Sequence, residues 1–555
     1  MARAQKLFQK ANSKFSVVNA AWLLAGSTFI AAALGFYRDR LLNRTYLNNL
    51  DPQNFLPEYM DAYLAAFRIP DFMYFVLVSG ALSVTFIPVF SARLVAGSKR
   101  SAWDLSSSLL NLLAIVTLIT SILIMIFADP LIRHIVAPGL PDDVRDLAIS
   151  MMRVIAINPF LFAISSLLAS MQQAVGRFFF FTLAPVIYNI GIIIGILFLT
   201  QEISLFGNVI WEGGIMGVAL GVALGSIMQL LVSSFGMIGM KFDYRPLIFW
   251  KNKGFRQVLR LLPPRSFDQG MDYFTTLVET NIASRLGGGA LSYYQMALTL
   301  HFMPINLIGV AISTAFFPKM ADRMATGQID MFRSEMRSVL RVIIWLALPV
   351  SALIYVTRGY LVGLLFEGGQ ATVASILSLL VVAVLFRSIF HIASRGFYAQ
   401  QDTKTPLYIS IAVITLHIVL AISFFQMGMG VEGLAIAQSI VAVTEVLILF
   451  FIMQARIGGI FTGDFWTAIM RMLSATGLMF IVSYLMVQLL PFEVTNQTFF
   501  AVSAKLFIIG LVSLTAYLFF SQLFGLSESR PIIEKFNKLK SLVFKNISSL
   551  NTHKK

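Results

Sequence analysis

Apolar stretches long enough to cross a bilayer recur along the whole 555-residue chain, and no other feature restricts the fold as strongly. A transmembrane helix takes ~20 mainly apolar residues. Such stretches fall near 17–36, 60–92, 105–127, 148–171, 178–199, 213–239, 267–286, 290–317, 338–357, 372–394, 406–427, 431–454, 465–489 and 499–524. These fourteen spans predict an all-α integral membrane protein. Composition agrees, since 57% of the residues are hydrophobic and 12% charged, whereas a soluble domain runs at roughly 45–50% apolar and about 25% charged.

A formal charge of +15 matters only through where the cations sit, and here they sit in short loops, not in a nucleic-acid-binding patch. With the N-terminus inside, the alternation of spans places 31 of the 42 Lys and Arg on one side of the membrane. Seven lie on the other side (Arg38, Arg40, Arg44, Arg133, Arg145, Arg285, Arg358) and four lie within it (Arg68, Arg153, Arg387, Lys505). Cytoplasmic loops carry the excess of Lys and Arg, so a bacterial inner-membrane protein with both termini in the cytoplasm is expected. Arg3, Lys6, Lys10 and Lys14 precede the first apolar run as they would in a signal peptide, but that run completes an internal repeat and is read as a span. The absence of cysteine removes disulfides, thiolate metal sites and a Cys nucleophile, and five scattered histidines make no metal centre. No cofactor is implied, and a monomer is expected.

The two halves of the chain resemble each other. Ala81, Ser83, Phe86, Pro88 and Arg93 recur as Ala311, Ser313, Phe316, Pro318 and Arg323 at a constant offset, in the second and eighth spans. Gly214-Ile215-Met216-Gly217-Val218-Ala219 opens the sixth span much as Gly430-Val431-Glu432-Gly433-Leu434-Ala435 opens the twelfth. Six spans separate each pair, an even number, so the repeats are expected to be parallel, with a central site between two six-helix bundles. The expected organisation is a first bundle at 1–240, an amphipathic cytoplasmic linker at 241–265, a second bundle at 266–456, two further helices at 457–525 and a basic tail at 526–555. In the linker, Phe249, Trp250, Phe255, Val258 and Leu259 interleave with Lys and Arg, which predicts a helix lying on the anionic leaflet.

Charges inside spans are costly and are tolerated where they face water or each other. Asp61 and Arg68 share a face of the second span, with Pro70 and Asp71 beyond. In the seventh span Asp268, Asp272, Thr275 and Glu279 fall within about 60° of arc, and the tenth carries Arg387, His391 and Arg395. The twelfth has Gln438 and Glu445. The plain alternative is interhelical pairing that only holds the bundle, for example Arg387 against Glu445. Arg38, Asp39 and Arg40 at the end of the first span have the alternative of being interfacial anchors, and lone His301 that of a buried core histidine.

Soluble-enzyme signatures are missing: no phosphate-binding loop with its lysine, no paired cysteines, no extramembrane stretch of catalytic size. Gly287-Gly288-Gly289 reads as a turn or hinge. A membrane glycosyltransferase would have to use Asp142, Asp143 and Asp146 as its acids, and a scaffold would have no need of intramembrane charges. The reading is therefore of a transporter, not an enzyme.

Four segments carry a resemblance to a known family: Leu34-Gly35-Phe36-Tyr37-Arg38-Asp39; Asp61-Ala62-Tyr63 through Phe67-Arg68-Ile69-Pro70; Gly80-Ala81-Leu82-Ser83 through Phe86-Ile87-Pro88; and Gly396-Phe397-Tyr398-Ala399-Gln400-Gln401-Asp402-Thr403-Lys404-Thr405-Pro406. Over about residues 15–525 the chain resembles the MurJ (MviN) lipid II flippases of the multidrug/oligosaccharidyl-lipid/polysaccharide exporter superfamily. The resemblance implies alternating-access transfer of an undecaprenyl-diphosphate-linked peptidoglycan precursor, with two C-terminal helices forming a groove for the lipid tail. It implies a central cavity, in which Arg38, Asp39 and Asp61 match the family pattern; the charges Arg68, Asp71, Asp272, Glu279, Arg285 and Arg387, read from the residues themselves, complete the substrate-binding candidates. Arginines usual in the family are replaced at Ala32, Tyr74 and Thr299, which leaves Arg68, Arg285 and Arg387 to supply the charge. Membrane lipids, and a coupling ion or the membrane potential, are the expected partners. The alternatives are another polysaccharide-lipid flippase or a multidrug antiporter of the same superfamily.

Overall fold

The computed structural model describes residues 17–46, 57–79, 85–205, 208–366, 371–492, 498–531 and 534. The four N-terminal cations, Ala81 and Ser83 of the repeat, and nearly all of the basic tail lie outside the described residues.

Seventeen α-helices follow in order among the described residues. They are α1 (Val17–Tyr46), α2 (Pro57–Tyr74), α3 (Ile87–Val95), α4 (Lys99–Pro130), α5 (Asp142–Ile155), α6 (Asn158–Ala174), α7 (Phe179–Ile194), α8 (Met216–Phe235) and α9 (Lys253–Ser284). Then come α10 (Ala290–Pro304), α11 (Ala311–Ala325), α12 (Ile329–Phe366), α13 (Ala371–Ala399), α14 (Lys404–Gln426), α15 (Gly430–Ile457), α16 (Gly463–Leu489) and α17 (Phe499–Leu523). The one sheet among the described residues is a hairpin, β1 (Ile203–Leu205) with β2 (Asn208–Trp211). Among the described residues, eleven helical runs are long and apolar enough to cross a membrane. The protein is an all-α integral membrane protein.

The expected second and eighth spans share an unusual backbone. A π-helical segment, Phe75–Ser79 in one and Ile305–Val310 in the other, follows a proline inside or at the end of the preceding helix. Each span then ends at a left-handed glycine, Gly97 or Gly327, before α4 or α12 begins two residues later. The π-helical segments and the glycines lie at the spacing of the sequence repeat. Gly214 and Gly430, ahead of α8 and α15, likewise both have positive φ.

The chain forms two compact units, the first covering 1–292 with 365–367 and the second the remainder. Phe86, Phe90, Leu105, Met171 and Phe255 are fully buried in the first, and Phe332, Met336, Ile392, Phe397 and Met453 in the second. Lipid tails are as apolar as side chains, so helix association relies on close packing and small residues. In the first unit α7 and α8 meet glycine to glycine: a Cβ on Gly191 would lie 2.3 Å from Gly225 Cα, and one on Gly195 2.4 Å from Gly221 Cα.

Where a surface helix was expected at 241–265, residues 241–252 are non-helical and the rest opens α9. The cause is local. Asn252 caps α9, its Oδ1 accepting from Gly254 N (2.9 Å) and Phe255 N (3.3 Å). The preceding strap is bound along α4, where Ser107 accepts from Arg245 N, Ser108 accepts from Phe249 N, and Asn111 donates to the carbonyls of Arg245 and Leu247. The seventh span, expected with the second bundle, packs as α9 in the first unit, where Tyr273 stacks on Phe75 at 3.9 Å.

Candidate functional site

In the first unit the candidate residues on α1, α2 and α9 converge. Arg38 near the end of α1 uses its whole guanidinium: Nε and Nη2 donate to Asp39 Oδ1 (2.9 and 2.7 Å) and Nη1 donates to Asn189 Oδ1 on α7 (3.0 Å). Asn189 is oriented by its own amide, which donates to the carbonyls of Pro185 (3.1 Å) and Ala31 (3.4 Å). Arg38 also lies in the electrostatic field of Tyr63 and Tyr188. Asp71, one turn beyond Arg68 on α2, interacts with Arg68 and with the phenols of Tyr63, Tyr74 and Tyr188. Arg68 in turn interacts with Glu279 and Tyr273 of α9.

The result is a connected group of two arginines and three carboxylates edged by tyrosines. It is partly open: Arg38 and Asp39 keep 25% and 33% of their side-chain surface accessible. Arg68, Asp71, Tyr74, Tyr188 and Tyr273 are half-buried, while Glu279 is buried. Charges arranged this way can exchange their mutual contacts for those of an entering anion without being stranded in hydrocarbon. Tyr74, at a position where the resemblance expects arginine, lies in this group and shares a 2.8 Å hydrogen bond with Ser166. Ala32 is exposed, and Thr299 donates to its own helix at Gln295 O.

Asp61, Arg285 and Arg387 are placed differently. Asp61 is 1% exposed and accepts from Ser292 N (2.7 Å) and Ser292 Oγ (2.5 Å), so it holds the first turn of α10. Glu58, one turn earlier, accepts from Gly288 N at 3.2 Å. Gly287, Gly288 and Gly289 all have positive φ, a run of left-handed backbone that glycine alone adopts cheaply. Arg285 is exposed at the end of α9 and donates to Asn281 Oδ1. The side chain of Asp272 lies outside the described residues.

In the second unit Arg387 on α13 forms a 2.7 Å ion pair with Glu445 on α15, with side-chain exposures of 24% and 3%. The other Glu445 oxygen accepts from Ser410 Oγ at 3.0 Å. Two turns along α13, Arg395 donates to Thr314 Oγ1 at 2.7 Å. His301 is fully buried. In the Gln401-Asp402-Thr403-Lys404-Thr405-Pro406 motif, Asp402 caps α14 by accepting from Lys404 N and Thr405 N, and it pairs with Arg456 of α15 at 2.5 Å.

Sequence reasoning missed Asn189, Tyr188, Ser292 and Ser410. Asn189 had a signal, since it is the lone amide in the otherwise apolar turns of α7. The serines had none, because their role depends on the facing helix.

The family model described as "Lipid II flippase MurJ" matches residues 57–510. A Burkholderia cenocepacia protein named "Lipid II flippase MurJ" is 25% identical over 447 residues, covering 78% of this chain and 83% of that one. A Thermotoga maritima protein named "Probable lipid II flippase MurJ" is 27% identical over 420 residues, covering 74% and 80%. Among solved structures, "Lipid II flippase MurJ, inward closed conformation" superposes with a TM-score of 0.73 at 24% identity, covering 92% of this chain and 99% of that one. An inward-facing multidrug resistance MATE family transporter of the MOP superfamily gives 0.63 at 17% identity, covering 77% and 95%. These superpositions speak to fold; the match over most of the chain settles kinship, and the chain belongs to the MurJ family of lipid II flippases.

Proposed function

We propose that this chain translocates lipid II, the undecaprenyl-diphosphate-linked peptidoglycan precursor, from the inner to the outer leaflet of the bacterial cytoplasmic membrane by alternating access. The observation that carries this reading is the partly open charge group of the first unit within a chain of this family. Arg38 and Arg68 receive the diphosphate, and Asp39, Asp71 and Glu279 hold the arginines when the site is empty. Arg387 sits by contrast in a closed pair, and Asp61 in a helix-capping role.

The finer topology belongs to the same proposal. Together with α1, the run α2 to α3, and α9, the eleven apolar runs make fourteen spans, with both termini in the cytoplasm. An inside-negative potential assists outward movement of the diphosphate by about 2.3 kcal/mol per charge per 100 mV, hence roughly 4–5 kcal/mol for two charges. No nucleotide-binding site is needed for that.

Complementation of a strain depleted of its own lipid II flippase tests the reading. Growth and normal cell shape supported by this chain are the expected result. Lysis despite normal membrane abundance would overturn it.

A further inference from the structure

Arg153, one of the four cations within the spans, belongs neither to the charge group of the first unit nor to the pair of the second. It stands in the last turn of α5, exposed, and makes no hydrogen bond or ion pair among the described residues. Its depth follows from its neighbours. Arg133, in the π-helical turn after α4, bonds Asp129 Oδ1 at 2.6 Å and Asp146 Oδ1 at 3.0 Å, which sets Asp146 of α5 level with the end of α4. Seven residues at ~1.5 Å each put Arg153 about 10 Å further into the membrane. This side of the unit is turned to lipid, since Ile122 and Ile126, on the same face of α4 as Asp129 and Arg133, are 46% and 62% exposed.

An arginine facing hydrocarbon is costly, and a long side chain relieves the cost by reaching toward the headgroups. Helical side chains lean toward the N-terminus, which in α5 is the Asp146 end, so the guanidinium rises toward the membrane surface. Its place in the last turn of α5 suits a cation but supplies no acceptor for its five donors. Further out along the same groove, the carboxylates of Asp129 and Asp146 share the single Arg133 and are 45% and 65% exposed. The groove therefore presents a cation innermost and an excess of carboxylate beyond it. A phospholipid phosphate fits the guanidinium fork, but a purely anionic headgroup would bring nothing to the two acids. An ethanolamine headgroup carries its phosphate next to the glycerol and its ammonium beyond, in the order the groove requires.

We propose that the groove between α4 and α5 seats a phosphatidylethanolamine molecule, its phosphate on Arg153, its ammonium on Asp146 and Asp129, and an acyl chain against Ile122 and Ile126. In the topology proposed above this site lies in the outer leaflet. The site itself does not depend on the reading of the chain as a flippase.

The test uses phosphatidylethanolamine and phosphatidylglycerol of identical chain length, each with a photoactivatable diazirine in one acyl chain, in nanodiscs holding the full chain. In the wild type, phosphatidylethanolamine should crosslink to α4 and α5 more strongly than phosphatidylglycerol. Arg153→Gln should lower crosslinking by both lipids about tenfold to a hundredfold, as for a lost charge-assisted hydrogen bond, and Arg153→Lys should retain part of it. Asp146→Asn should weaken phosphatidylethanolamine alone and so remove its advantage. Both side chains are exposed, so neither substitution opens the core. Equal crosslinking by the two lipids in the wild type, or unchanged crosslinking in Arg153→Gln, would overturn the site. So would disulfide formation through Ser150→Cys, in a chain with no other cysteine, to a neighbouring membrane protein in place of lipid crosslinking. That outcome would give Arg153 to a carboxylate on a partner helix.

Discussion

The two units treat intramembrane charge in opposite ways. In the first, Arg38, Asp39, Arg68, Asp71 and Glu279 share partners across α1, α2, α7 and α9, and several of them stay half-open. In the second, Arg387 and Glu445 form one pair, with Ser410 completing the carboxylate and only 3% of the glutamate accessible. A shared, open group can be rearranged by a ligand at little cost. A closed pair resists rearrangement, because breaking it strands a charge. Under the proposed function, recognition of the diphosphate belongs to the first unit and a bracing role to the Arg387–Glu445 pair.

The largest effect expected from this contrast is on transport. Arg68→Ala should abolish lipid II translocation while the protein still accumulates in the membrane, since losing one charge-assisted contact costs about 1.5–3 kcal/mol, roughly tenfold to a hundredfold in affinity. Arg38→Lys should keep part of the activity, because the charge survives but the fork that reaches both Asp39 and Asn189 does not. Wild-type transport by Arg68→Ala would erase the distinction between the units.

Next in size is a stability effect confined to the second unit. Glu445→Ala should destabilise by about 3 kcal/mol, the lower end for a broken buried pair because Arg387 is a quarter exposed. The double variant Arg387→Met/Glu445→Leu should recover most of that in thermal unfolding. A double variant as unstable as the single would mean that the pair does more than brace.

Acid should act on a third place, outside the spans. Burial alone would raise the Asp402 carboxyl, but hydrogen bonds from the Thr405 hydroxyl and Arg456 outweigh it and hold the group below its usual 3.8. A depressed carboxyl contributes stability that is present above the unfolded value and lost as pH falls below it. Unfolding followed from neutral pH downwards should therefore show a weakening below pH 3.8 that Asp402→Asn lacks. The smallest effect is expected for Tyr74→Phe, which removes one hydrogen bond to Ser166 and should cost about 1 kcal/mol or less with transport nearly intact.

The all-α membrane fold was legible in the sequence because apolar length is written along the chain, and the repeat because Phe86, Pro88 and Arg93 recur as Phe316, Pro318 and Arg323; in the structure Gly97 and Gly327 stay left-handed at matching places. The strap at 241–252 was not, since its aromatic and basic alternation fits a surface helix and only the polar face of α4 forbids one. The site was half legible. Each of Arg38, Arg68, Asp71 and Glu279 stands out as a charge among apolar residues, but sequence could not tell a shared group from a closed pair. That distinction lies in Asn189, Tyr188 and Ser410, which are ordinary until the facing helix is known.

Outer-leaflet exposure of lipid II, in cells whose own flippase is depleted, tests the central claim most directly when two variants are compared at equal membrane abundance. Arg38→Ala should give no exposure above the depleted background, and Arg387→Met/Glu445→Leu should expose lipid II at a rate close to wild type. The reverse pattern, transport by Arg38→Ala and none by the double variant, would contradict the account and place head-group recognition in the second unit.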